Sequence, residues 1–319
     1  MQALTVIGRR YQACDLQAIA LAGEIGIHKE KAPPGPRLKQ TDQKIHFTKS
    51  FDGARIAYAV AGSGLPLVKA ANYMGHLNFD WESPVWGHWL EELTRKHTLI
   101  RYDERGTGMS DRKVTNLSFE AWVHDLEAVV DAASLDRFTL FAMSQGGAVA
   151  IAFAARHPDR VDRLVLHGSY ARGWLNRDLT PSQKEEEKLL MNTMKVGWGQ
   201  ENPAFRQVFA TQLFPGASAE KLHALEEQMF LSTSPENAVR LEGEMHRVDV
   251  RQFAPKVKAS TLIFHSRQDA AVPFEEGVYL ASLVPSAQFF PLESKNHLLA
   301  GEEPAWLEFQ KIFRTFLST

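Results

Sequence analysis

Apolar and polar positions change their spacing along the chain in a way that lays out alternating strands and helices. Segments 45–49 and 55–60 read as short strands, and the Asp52-Gly53 pair between them is a hairpin signal. An apolar run at 67–71, bounded by Pro66, suits a buried strand. Trp86, Leu90 and Leu93 recur at i, i+4 and i+7, the spacing of one helix face. A strand at 98–102 follows, then a helix marked by Trp122, Leu126, Val129, Val130 and Ala133. The beat continues with a strand at 138–143, a helix at 146–156 and a strand at 164–167.

From about 170 to 250 only helical patterns remain, over 181–198, 203–214, 219–231 and 235–248. Three of them open alike, at Thr180-Pro181, Asn202-Pro203 and Ser234-Pro235. A capping side chain before proline predicts a helix with proline in its first turn. Strands return at 261–265 and 288–291 around a helix near 274–283, and a last helix carries Trp306, Phe309, Phe313 and Phe316 on one side. Strands alternating with helices predict an α/β fold, a mainly parallel central sheet flanked by helices. The expected organisation is an extension and linker over 1–42, a core over 43–169 and 251–319, and a helical insertion over 170–250. Within the extension a short helix is expected at 15–25, and Pro33-Pro34-Gly35-Pro36 reads as a stiff linker.

Composition narrows the classes. The 319 residues are 44% hydrophobic and 23% charged, enough for a large core and too apolar for disorder. A net charge of −2 with a pI near 6.6 leaves no electrostatic footprint for nucleic acid or an anionic membrane. No apolar stretch approaches the ~18 residues of a membrane span. The single cysteine, Cys14, rules out an internal disulfide framework and favours a reducing compartment. Arg9 and Arg10 precede a mildly apolar segment ending at Ala22, but Gln12, Asp15 and Gln17 interrupt it, so a cytoplasmic address is expected over export. H-E-x-x-H, C-x-x-C and phosphate-loop motifs are missing, and Gly62-Ser63-Gly64 lacks the helix of a dinucleotide site. No metal or other cofactor is therefore expected. The pattern does not set an oligomeric state.

Candidate chemistry starts at Ala142-Met143-Ser144-Gln145-Gly146, between a predicted strand and a small-residue helix. That context forces a serine hydroxyl into an exposed, strained turn, where hydrolases keep a nucleophile. Functional groups gather at the carboxyl ends of parallel strands. Asp269 and His297 follow two later strand ends, so the chain order is Ser, Asp, His, as in the α/β-hydrolase arrangement. A serine hydroxyl needs an imidazole to take its proton, and the imidazolium needs a carboxylate on its far nitrogen. A tetrahedral oxyanion needs two donors. One is expected from the Gln145 N–H, the other from the loop around Asn72 and Tyr73. Among the other histidines, His265 is expected to be a buried hydrogen-bonded side chain, and His167 is the runner-up base.

The string Asp103-Glu104-Arg105-Gly106-Thr107-Gly108-Met109-Ser110 resembles the D-x-R-G-x-G-x-S loop of lid-bearing α/β-hydrolases. With the serine turn, the Asp269 loop and His297, four signatures fall in that family's order across residues 44–319. Lys69-Ala70-Ala71-Asn72 and Phe79-Asp80-Trp81-Glu82-Ser83-Pro84 resemble the hydrolase modules found alone or fused to bacterial regulators and cyclases. The resemblance implies a helical lid at 170–250, structural roles for Asp103 and Arg105, and a small-molecule acyl substrate. Two positions depart from the family pattern. Ala142 replaces the usual first glycine of the serine turn, and Ala71-Asn72 replaces the usual His-Gly of the oxyanion loop, which makes the Asn72 side chain a candidate donor. The expected activity is carboxylic ester hydrolysis through an acyl-enzyme on Ser144. Lactone, thioester or carbon–carbon bond hydrolysis would use the same machinery. A small-molecule sensor with an idle triad is the alternative from another class.

The aromatic residues Trp174, Trp198, Phe205, Phe209, Phe214 and Phe230 are read as lid core or acyl-pocket lining. The run 184–188 is read as a solvated helix face.

Overall fold

The computed structural model describes residues 43–285 and 287–318; the helix expected at 15–25 and the linker at 33–36 lie outside the described residues. Eight strands form one sheet: β1 (Lys44–Lys49), β2 (Arg55–Gly62), β3 (Leu65–Lys69), β4 (His97–Tyr102), β5 (Phe138–Met143), β6 (Val161–His167), β7 (Ser260–Ser266) and β8 (Ala287–Leu292). Their order is β1-β2-β4-β3-β5-β6-β7-β8. The β1–β2 and β2–β4 pairs are antiparallel, and every pair from β4–β3 to β7–β8 is parallel.

Side chains alternate between the two faces, as a strand requires. Val68, Ile100, Leu140, Leu164 and Ile263 lie in one buried cluster. Their chain neighbours Leu67, Leu99, Phe141, Val165 and Leu262 lie in another. Helices α2 (Phe119–Ala132), α3 (Gly146–Arg156) and α8 (Phe274–Leu283) contribute to the first cluster; α1 (Gly87–Thr94) and α9 (Pro304–Ser318) contribute to the second. Burial on both faces explains why the parallel strands read as nearly continuous apolar runs.

Between β6 and β7 the chain runs through α4 (Pro181–Gly197), α5 (Ala204–Leu213), α6 (Ala219–Ser232) and α7 (Pro235–Met245). Thr180 caps α4 in a capping box with Gln183, and Ser234 caps α7 ahead of Pro235. The third proline behaves differently. Pro203 is itself the N-cap of α5, and the Asn202 side chain accepts from the Ala204 N–H at 3.0 Å.

Trp198, Phe209 and Phe214 are buried in the cluster shared with α1 and α9, which makes them core, whereas Phe205 and Phe230 are exposed. The insertion leaves and rejoins the sheet through a paired neck. The Val250 N–H donates to the Ala171 carbonyl (2.8 Å) and the Gly173 N–H to the Val248 carbonyl (2.7 Å), so that Arg172 and Asp249 face each other as an antiparallel backbone pair.

Two local expectations are corrected. β3 ends at Lys69 and not at 71: the Ala70 N–H still donates to the Phe141 carbonyl of β5 at 2.9 Å, but the Ala71 carbonyl approaches Gly146 at the start of α3. The run 184–188 is not wholly solvated: Glu187 is buried, and its carboxylate stands 2.8 Å from His246 Nδ1.

Candidate active site

Ser144 occupies the turn from β5 into α3 with φ of +50°, a left-handed conformation that L residues other than glycine rarely adopt. Its N–H donates to the His167 carbonyl at the end of β6 (2.9 Å), which clips the turn to the neighbouring strand. Glycine follows because of crowding. A Cβ on Gly146 would stand 2.4 Å from the Ala71 carbonyl oxygen, so only a hydrogen lets α3 reach the loop after β3. The buried Ala142 is accommodated where the family pattern has its first glycine.

His297 and Asp269 converge beside this turn. His297 Nδ1 lies 2.6 Å from Asp269 Oδ2, and both side chains are almost wholly buried. Asp269 Oδ1 accepts the N–H groups of Ala271 and Val272, each at 2.9 Å. Burial raises the Asp269 pKa, but the imidazole and these N–H donors outweigh it and hold the carboxyl below its ordinary value. The carboxylate is thus fixed in position and in charge. The His297 ring packs on Gly168, the residue after the carbonyl that holds Ser144.

His167, the runner-up base, has another task. Its Nε2 pairs with the His297 carbonyl at 2.9 Å, and burial depresses its pKa to about 3, so it braces the His297 backbone as a neutral ring. His265 is buried and pairs with the Val272 carbonyl at 2.9 Å, as expected of a structural histidine. The insertion also reaches this loop: the Leu213 carbonyl at the end of α5 accepts the N–H of His297 at 3.0 Å.

The expected oxyanion groups are arranged less simply. Gln145 is the N-cap of α3, so its N–H lies at the positive end of a helix dipole beside Ser144. The Tyr73 N–H donates to the side chain of Gln145, at 3.0 Å from Oε1. The Asn72 side chain, a candidate donor from sequence, is committed elsewhere. Its oxygen accepts from Lys69 Nζ, and its nitrogen donates to the Tyr73 carbonyl at 3.3 Å.

Lys69 is buried at the end of β3, and desolvation lowers its pKa to about 8. The signal for it was present, since a lysine inside an otherwise apolar run is out of place. Glu104, also unread in sequence, is buried and accepts from Gln145 Nε2 at 2.5 Å; desolvation raises its pKa to about 8. Asp103 and Arg105 pin the same loop. Asp103 accepts the N–H groups of Leu77 (3.2 Å) and Met109 (2.8 Å), while Arg105 pairs with Asp125 and Asp52, each at 2.6 Å.

A mixed sheet of this order, carrying a serine turn that enters a helix, defines an α/β-hydrolase architecture. The model of the alpha/beta hydrolase fold matches residues 73–304, and the chain belongs to that family. It is similar to a pyrrolizixenacetamide deacetylase of Xenorhabdus hominickii, 26% identical over 83% of this chain and 95% of the relative. It is also similar to a 2-hydroxy-6-oxo-2,4-heptadienoate hydrolase of Pseudomonas putida, 29% identical over 69% and 79%. Among solved structures, an esterase from Exiguobacterium antarcticum superposes with a TM-score of 0.72 at 23% identity, over 86% of this chain and 99% of that one. No helix among the described residues is long and apolar enough to cross a membrane.

Proposed function

We propose that the chain is a serine hydrolase that cleaves carboxylic esters of small molecules. Ser144 Oγ attacks the acyl carbon while His297 takes its proton; Asp269 stabilises the resulting imidazolium. The tetrahedral intermediate collapses as His297 returns the proton to the departing alkoxide. Water, deprotonated by the same imidazole, then attacks the acyl-enzyme and releases the acid. Gln145 N–H and Tyr73 N–H receive the oxyanion, and residues 170–250 act as the lid over the acyl group.

The observation that carries this reading is the 2.6 Å His297–Asp269 pair packed on Gly168, one residue beyond the carbonyl that grips Ser144. The deacetylase and dienoate hydrolase among the relatives support hydrolytic chemistry and leave the acyl class open to assay. The test is turnover of p-nitrophenyl esters of increasing chain length, with a lactone alongside, by wild type and Ser144→Ala. The expected loss is about 10⁴-fold or more, together with loss of fluorophosphonate labelling. Wild type that neither turns over nor labels, yet binds a small ligand tightly, would replace this reading with a sensor.

A further inference from the structure

The side chain of Gln145 takes up the N–H of Tyr73, the group expected to be the second oxyanion donor. Its backbone is fixed by the serine turn, and the residue is only 1% exposed. Its amide bridges two partners on separate loops. Oε1 accepts the Tyr73 N–H at 3.0 Å, and Nε2 donates to Glu104 Oε1 at 2.5 Å. Glu104 is itself held, because Thr107 Oγ1 donates to its carbonyl at 2.8 Å. The Tyr73 N–H can only donate, which keys the amide so that its oxygen, and not its nitrogen, faces Tyr73 and its nitrogen faces Glu104. The Tyr73 N–H carries one proton, so Gln145 Oε1 and a substrate oxygen compete for it.

Resting on the hydrolase reading above, we infer that the Gln145 side chain plugs the Tyr73 half of the oxyanion site in the empty enzyme and is displaced during the reaction. A neutral ester carbonyl accepts no better than an amide oxygen, so it gains little by the exchange. A tetrahedral oxyanion is a far stronger acceptor and wins the proton. The plug therefore withholds one hydrogen bond from the ground state and releases it to the transition state, which is the form of binding that favours turnover. Its cost falls on the free enzyme. Gln145 is a positioning residue through its side chain, acting by way of the Tyr73 N–H, apart from the role of its backbone N–H.

The test is Gln145→Met, which keeps the length of the side chain and removes the acceptor, with Gln145→Ala as the second variant. Freeing the Tyr73 N–H raises kcat/KM for p-nitrophenyl esters by about 3- to 10-fold, the size of one net neutral hydrogen bond. Affinity for an alkyl boronic acid, whose adduct places an oxygen in the site, rises by the same factor. In wild type, hydrogen exchange finds the Tyr73 amide protected while the site is empty, a readout that needs no variant to fold. A brace that merely supports the loop predicts the reverse, with lower kcat/KM and weaker boronate binding in both variants.

A lower kcat/KM in both variants, or an unprotected Tyr73 amide in a wild type that labels with fluorophosphonate, overturns the inference and leaves the hydrolase reading standing. Wild type without labelling or turnover removes both.

Discussion

Replacing Gly168 with alanine inserts one methyl group against the imidazole of His297. A Cβ at that position stands 2.7 Å from His297 Cε1 and 3.0 Å from Nδ1. Ordinary contact begins at 3.4 Å, so the ring must retreat by about 3.4 − 2.7, or 0.7 Å. It has no slack in which to do so. Asp269 holds Nδ1 at 2.6 Å, His167 holds the His297 carbonyl at 2.9 Å, and Leu213 holds its N–H at 3.0 Å.

A misplacement of ~1 Å in a reacting group costs about 10²-fold, so kcat of Gly168→Ala should fall roughly 10- to 100-fold. The backbone adds a second effect. Gly168 sits at φ +58°, where alanine is disfavoured by roughly 1–2 kcal/mol. For a core of this size that corresponds to a melting temperature lower by about 2–8 °C. The assay pairs p-nitrophenyl ester kinetics with thermal unfolding on one preparation, so that a folding loss is separated from a chemical one. A variant that melts lower but keeps kcat within twofold of wild type would show that the imidazole packed on Gly168 is not the base.

Asp269→Asn should lower kcat by about 10⁴-fold with little change in KM, as stopped-flow or steady-state ester kinetics would read, because the amide imposes the wrong tautomer on His297. Since the folded Asp269 pKa is depressed, its stabilising contribution is present above the unfolded carboxyl value and is lost as pH falls through the folded value; acid unfolding of Asp269→Asn should lack that component. His246 lies between Glu187 (2.8 Å) and Glu242 (3.1 Å); burial opposes its charge, but the two carboxylates prevail and raise its pKa to about 9. That contribution is full below about 6.5 and lost as pH rises through about 9, so the melting temperature should fall across this window in wild type and less in His246→Gln. Arg105→Ala strands the buried Asp125 carboxylate and should cost about 3–5 kcal/mol in denaturant unfolding, whereas the kcat of the remaining folded fraction should stay near wild type.

Strand and helix identities were legible because both periodicities are strong, and because the serine turn needs a local strand–turn–helix context that five residues announce. The meeting of Asp269 and His297, now a 2.6 Å pair, was readable from chain order and from their place after strands. Boundaries failed where tertiary contact overrides local pattern. Ala70 and Ala71 are as apolar as the strand before them, yet the strand stops short of them, and the Ala71 carbonyl approaches Gly146 instead. Glu187 looked solvated within its charged run because its partner, His246, lies on the turn after α7. The state of the oxyanion loop was unreadable for the same reason. The bond from Tyr73 to Gln145 joins groups 72 positions apart, and neither side chain advertises it.

The paired neck at 171–173 and 248–250 closes the helical insertion at its base, but Trp198, Phe209 and Phe214 sink into the core beneath it, so the insertion is a part of the body and not a detachable flap. The Leu213 carbonyl ties it in further, because it grips the backbone of His297. Replacing the insertion with a segment that lacks an equivalent carbonyl would leave the His297 N–H unpaired and, on the proposed mechanism, would disturb the base as well as the lid.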